Sequence, residues 1–279
     1  MFPIRDDQPR YSTPYVNGFL IGLNIFIFLL QWLQMVQDPR LADLTARQFG
    51  VVPAHLVAFF QGSRTYSFGQ IVLPFFTSMF LHGGWMHVLG NMWFLYIFGD
   101  NIEDYFGHFK YLLFYIISGL MAMATQVMIY PFSNLPTVGA SGAIAGVLGA
   151  YFILYPRARV LTWFFVFVFY LPAWVMLGYW FVFQFFAGAA SLATVRPGHD
   201  VGGVAVWAHV GGFVAGMVMV KLFGERSRRY PYAYRCGWLK DGKSRPFAPN
   251  LGSGMRRCDC GEFCYFLGRD SGGTRPARR

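Results

Sequence analysis

Ser141 stands in the stretch TVGASGAIAG, one serine among glycines and alanines at the head of an apolar run. His87 and Asn91 lie four residues apart in LHGGWMHVLGN, and His209 opens AHVGGFVAG, each within an apolar run of its own. A serine hydroxyl is a weak nucleophile until a base removes its proton, and imidazole, which titrates near neutral pH, suits that task. Neither the Ser141 run nor the His209 run contains Asp or Glu, so the pair would act as a dyad without a third member. Charge developing on an attacked carbonyl needs donors aimed at it. The free N–H groups of a helix's first turn at Ser141 could supply some of them. The side chains of His87 and Asn91 could supply others. Gly139 and Gly142 flank the serine and leave room for a substrate backbone. The chemistry is acyl transfer, and water as second substrate makes it hydrolysis.

The elements that must position these groups are membrane spans. The chain of 279 residues is 55% hydrophobic and 13% charged, against about 25% charged in soluble domains. Six runs approach the roughly 20 apolar residues that cross a bilayer: 17–36, 81–98, 111–130, 139–155, 171–190 and 204–223. The apolar stretch 160–190 is too long for one simple span. Pro172 divides it, with VLTWFFVFVFY read as an interfacial lead-in, and a seventh span within 160–190 stays open. The first run is too long for a cleavable signal peptide, and no small-residue cleavage site follows it.

Basic residues orient the spans. From Lys221 onward there are 14 Lys and Arg against 5 acids, and Arg157 and Arg159 lie between the fourth and fifth runs. Both regions belong on the cytoplasmic side, which puts both termini inside and the site's opening outside. His55, His108 and His199 are expected in loops, without a role. Spans two, four and six then enter from the outside. At about 1.5 Å per residue, His87, Asn91, Ser141 and His209 all fall in the outer half of a roughly 30 Å core. Ser141, Ala145 and Gly149 form one stripe on span four. His209, Gly212 and Gly216 form another on span six, with Gly212 and Gly216 in the GxxxG pattern of close helix packing. Any one of these residues could be a packing feature or an inter-helix hydrogen bond. Polar groups converging in depth on three spans point instead to one shared site. A transporter or metal site on His82, His87 and His209 lacks the carboxylates or thiolates that metals usually recruit, and there is no HExxH, so neither metal nor cofactor is expected.

GASGAIAG, HGGWMHVLGN and AHVGGFVAG together resemble the GxSG, HxxxxHxxxN and AHxxGxxxG motifs of rhomboid intramembrane serine proteases, in the family's order, over about residues 15–223. The resemblance implies an all-α bundle of six transmembrane helices with a short fourth helix and a long first loop in the outer leaflet. It implies a serine endopeptidase cutting in or near transmembrane segments of membrane proteins. Ser141 would be the nucleophile and His209 the base. His87, Asn91 and the Ser141 N–H would form the oxyanion hole, with His82 in support. The alternative is a non-catalytic rhomboid-like protein that binds membrane helices. Two features depart from the pattern. The first loop lacks a Trp-Arg pair, and Ala145 stands where some members stack an aromatic ring on the base.

Three segments result: a cytoplasmic N-terminal segment 1–14, the membrane domain 15–223 and a basic tail 224–279. The tail holds all four cysteines, Cys236, Cys258, Cys260 and Cys264. A reducing compartment would keep them as thiols or metal ligands, although C-x-C-x3-C is not a standard zinc spacing, and the tail's composition suits disorder against anionic lipid heads. The expected partners are transmembrane protein substrates and the lipid bilayer, and no nucleic acid. The expected location is the plasma (inner) membrane.

Overall fold

The computed structural model describes residues 1–194 and 205–223, and two short strands at 256–257 and 263–264. It divides into a unit of Met1–Gly224 and a second unit of Glu225–Arg279. In the first, α1 (Tyr15–Gln37) leads into a loop carrying α2 (Pro39–Phe49), α3 (Pro53–Phe60), α4 (Phe68–Thr77) and a 3-10 turn at Ser78–Phe80. The bundle continues with α5 (Trp85–Phe106), α6 (His108–Ile129), α7 (Ser141–Leu154), α8 (Ala173–Thr194) and α9 (Val206–Phe223). In the second unit β4 (Arg256–Arg257) pairs antiparallel with β5 (Phe263–Cys264). Cys236, Cys258, Cys260 and His199 lie outside the described residues.

The membrane domain is a mostly helical bundle. Among the described residues α1, α6, α8 and α9 are long and apolar enough to cross a membrane. Helix α5 is long enough, but its last two turns carry Asp100, Glu103 and Asp104, and α7 has only 14 residues. Helix α7 is nonetheless the center of this first unit. Every residue from Gly142 to Tyr151 is buried, and α9 and α6 pack against it most extensively.

The stretch 160–190 resolves into a hairpin and one helix, with no seventh helical span. Strands β2 (Arg159–Phe164) and β3 (Phe167–Pro172) pair antiparallel, and α8 follows. A run of β-branched and aromatic residues ending at a proline favours a strand over a helix. The N-terminal segment adds β1 (Phe2–Arg5) to the same sheet, in the order β1-β2-β3.

Acids in GDNIEDYFGHFK hold this end together. Glu103 is fully buried, and its carboxylate accepts the backbone N–H groups of Val16 (3.0 Å) and Asn17 (2.7 Å). Those are free donors in the first turn of α1, where the helix dipole also favours a negative charge. Asp104 accepts from the backbone of Ser12 at 2.8 Å, and His108 contacts Glu103. His108 therefore opens α6 and His55 sits in α3, where both were expected in loops. Gly107, at φ 75°, supplies the reversal between α5 and α6, and Pro53 starts α3.

Candidate active site

Helix α7 begins at Ser141 itself, so its first-turn N–H groups surround the serine. The approach to it is anchored from the first loop. Val51 and Thr137 exchange both backbone hydrogen bonds (3.1 and 2.8 Å), and Gly139 N–H donates to Ser78 O at 2.8 Å. These bonds hold Thr137–Gly139 against the first loop. Gly139 has φ +131°, and a Cβ there would lie 2.8 Å from the His87 ring and 3.5 Å from Ser141 Oγ. Backbone and space both demand glycine at this position.

Helix α9 brings His209 to the serine. Its Nε2 is 2.7 Å from Ser141 Oγ, a full hydrogen bond. His209 is 7% exposed, low enough to shield that bond from bulk water. Glycines set the approach of the two helices. A Cβ on Gly212 would overlap the carbonyl oxygen of Gly142, one on Gly216 that of Gly146, and one on Gly149 that of Phe213. Gly142, Gly146 and Gly149 make the closest approach of α7 to α9, and Ser141 and Gly149 of the stripe expected from a four-residue repeat also meet α9. A 4-then-3 spacing follows the 3.6-residue turn more closely than two successive fours. Ala145 is fully buried in the core beside this face.

Helix α5 supplies the next groups. His87 Nδ1 accepts the backbone N–H of Gly83 at 3.3 Å. A neutral imidazole that accepts at Nδ1 carries its proton on Nε2, and His87 Nε2 faces the Gly139–Ser141 corner. Asn91 lies one turn further along, 9% exposed, and its Nδ2 meets no hydrogen-bond partner among the described residues. A buried amide donor left unpaired costs about 1–3 kcal/mol, so it is suited to a ligand's oxygen. The His82 ring stands 5.1 Å from that of His87, and the His82 backbone N–H donates to Gln31 Oε1 at 3.0 Å. A small cleft lined by Thr137, Val138, Gly139, Ala205 and Ala208 opens onto Ser141. Among the described residues no group of three His, Cys, Asp or Glu side chains gathers as a metal would require.

Helix α8 contributes two residues the sequence reading passed over. Gln184 Oε1 lies 3.1 Å from His209 Nδ1, and the Trp180 ring lies 5.7 Å from the His209 ring at 36°. The signal was present: Gln184 is a lone amide in an apolar run, four residues from a tryptophan. The whole arrangement can take a hydroxyl proton, attack a carbonyl and donate hydrogen bonds to the resulting oxyanion.

Comparison with known proteins bears on the family to which the chain is similar. The family model "Rhomboid domain" matches residues 69–226, more than half of the chain. "Rhomboid-like protease 5" of Toxoplasma gondii is 31% identical over 166 residues, 56% of this chain and 16% of the relative. "Putative rhomboid protease YdcA" of Bacillus subtilis is 31% identical over 114 residues, 38% of this chain and 55% of the relative. "Rhomboid-like protein 11, chloroplastic" of Arabidopsis thaliana is 40% identical over 73 residues, 26% of each chain. This chain thus spans about a quarter of the length of that plant relative.

Proposed function

We infer, from the premise that this chain belongs to the rhomboid family, that it is an intramembrane serine endopeptidase acting on transmembrane segments of other proteins. The observation that carries this reading is the 2.7 Å bond between His209 Nε2 and Ser141 Oγ. In the proposed reaction His209 takes the hydroxyl proton as Ser141 Oγ attacks the peptide carbonyl carbon. The tetrahedral oxyanion accepts hydrogen bonds from the Ser141 N–H, His87 Nε2–H and Asn91 Nδ2–H. His209 then passes its proton to the departing amine, and water repeats the sequence on the acyl-enzyme. A helical substrate shields its peptide bonds with its own hydrogen bonds. It must therefore unwind locally, which favours small residues at the cut and helix-weakening residues after it.

The basic residues of the tail and of the segment around Arg157 and Arg159 support cytoplasmic termini, with the site opening to the opposite side. The test uses the purified full chain in liposomes with a fluorophosphonate probe and a transmembrane substrate. Wild type labels and cleaves, and Ser141→Ala does neither. Cleavage retained by Ser141→Ala, or a folded wild type that never labels, overturns the reading.

A further inference from the structure

A serine can donate its proton to His209 Nε2 only if that nitrogen is unprotonated. The ring proton must then reside on Nδ1, and it needs an acceptor there. Serine hydrolases commonly supply a carboxylate for this. Here the hydrogen-bond partners of the His209 ring among the described residues are Ser141 and the Gln184 amide oxygen. Gln184 and Trp180 are four residues apart on α8 and so share one helix face. Both side chains are half-buried, and both meet the same imidazole. One turn beyond, a Cβ on Gly188 would fall 2.9 Å from the Trp207 ring, so this face of α8 continues along α9.

We propose that the Trp180–Gln184 face of α8 is the positioning element of the catalytic base. Gln184 Oε1 accepts the Nδ1 proton and leaves the Nε2 lone pair facing Ser141, while the Trp180 ring restrains the plane of the imidazole. This inference rests on the protease reading and goes beyond it, since it assigns roles to two residues of a third helix. The choice of an amide follows from the surroundings. A carboxylate at this half-buried position would lose part of its hydration before the substrate arrives. An amide orients the ring at a much smaller desolvation cost. Trp180 answers the departure at Ala145: the fully buried alanine offers the base no ring, and a tilted ring contact comes from α8 instead. Once His209 has taken the proton, the indole face also attracts the cation.

The test compares Gln184→Met, Gln184→Glu, Trp180→Leu and Trp180→Phe in the full chain, measuring kcat and KM for a transmembrane substrate and the thermal midpoint. Gln184→Met removes the acceptor at similar volume. It lowers kcat about 10- to 100-fold, below the roughly 10⁴-fold loss seen when a triad carboxylate is replaced. KM and the midpoint stay within about twofold and a few degrees. Gln184→Glu restores the acceptor and brings kcat back to within about tenfold of wild type. Trp180→Leu lowers kcat, and Trp180→Phe retains it. Histidine ¹⁵N NMR on Ser141→Ala reads the tautomer without activity: Nδ1 is protonated, and adding Gln184→Met shifts the proton toward Nε2. Wild-type kcat in Gln184→Met overturns the proposal, as does an equal loss in Gln184→Met and Gln184→Glu with a falling midpoint. A wild type that never labels overturns the protease reading, and the tautomer measurement still decides whether Gln184 positions His209.

Discussion

At the scale of single residues, the proposed oxyanion donors illustrate how function and stability pull apart. Asn91 Nδ2 is buried without a partner among the described residues, a state that a protein selected for stability alone would avoid. Replacing it by leucine, of nearly the same shape, removes an unpaired donor worth about 1–3 kcal/mol. Asn91→Leu is therefore expected to hold or raise the thermal midpoint while kcat falls about 10- to 1,000-fold, the range for a lost oxyanion donor. A midpoint that drops with kcat would show that Asn91 is chiefly structural. Gly139 behaves oppositely. With φ +131° and the His87 ring 2.8 Å from its Cβ position, Gly139→Ala strains the backbone and displaces a proposed donor together. Ser141, His209, His87 and Asn91 were legible because polar residues in apolar runs are conspicuous. Gln184 was conspicuous by the same test but had no chemistry of its own, since a glutamine neither attacks nor titrates. Only its distance to His209 reveals what it can do.

Among elements, the α7–α9 contact decides whether the site exists. Backbone approach at Gly142–Gly212 and Gly146–Gly216 leaves no room for a methyl group. Neighboring carbonyls cannot rotate away as a flexible side chain would. Gly216→Ala is expected to destabilise by about 1–3 kcal/mol and to part Ser141 from His209, so probe labelling slows sharply. Wild-type labelling in Gly216→Ala would show that α9 shifts without disturbing the dyad geometry. The sequence displayed this contact through its glycines but not its register, because a helix of 3.6 residues per turn offers neighboring stripes that differ by one residue. The aromatic stretch before Pro172 was harder. Its composition suits lipid, strand or helix equally, and only pairing between β2 and β3, with β1 added, decides for a hairpin. Trp163, Phe165, Val166 and Phe167 remain exposed there, continuous in sequence with the apolar helix α8. The count of runs exceeded what length and apolarity alone certify, for a physical reason. Helix α5 keeps its acids to cap α1 and bind the N-terminal segment, and α7 is cut short so that its first turn can begin at the serine.

For the whole molecule, the N-terminal segment ties the sheet to the bundle through polar contacts, partly buried or exposed, that composition could not reveal. Trp93 Nε1 donates to Pro3 O at 2.7 Å, and Asp7 accepts from the Arg159 backbone N–H at 2.8 Å. Asp6 reaches further in. Its carboxyl accepts from the Tyr151 hydroxyl on α7 and, at 3.3 Å, from Asn101 on α5. Burial raises the Asp6 carboxyl from the usual 3.8 to about 7, against the lowering effect of the Tyr151 bond and with Asp100 and Asp7 adding to the rise. The charged and titratable groups around it are Asp100 on α5, Tyr151 on α7, and its own neighbors Arg5 and Asp7. The sign follows from proton linkage. Between about pH 4 and 7 the unfolded chain has released this proton while the folded chain still holds it. The stabilising contribution is full below the unfolded value and is lost as pH rises through the folded one. Asp6→Asn keeps the shape, loses the titration and should flatten that part of the curve. Because Asp6 is half-buried, solvent screening reduces the effect, and about 1 kcal/mol is expected between pH 5 and 8, or roughly 2–4 °C. The measurement is the thermal midpoint of both proteins in detergent across that range. The difference between wild type and Asp6→Asn should change steadily up to about pH 7 and then level off. Parallel curves would mean that Asp6 ionises freely in the folded protein, and that the N-terminal strand is held by its backbone pairing with β2 alone.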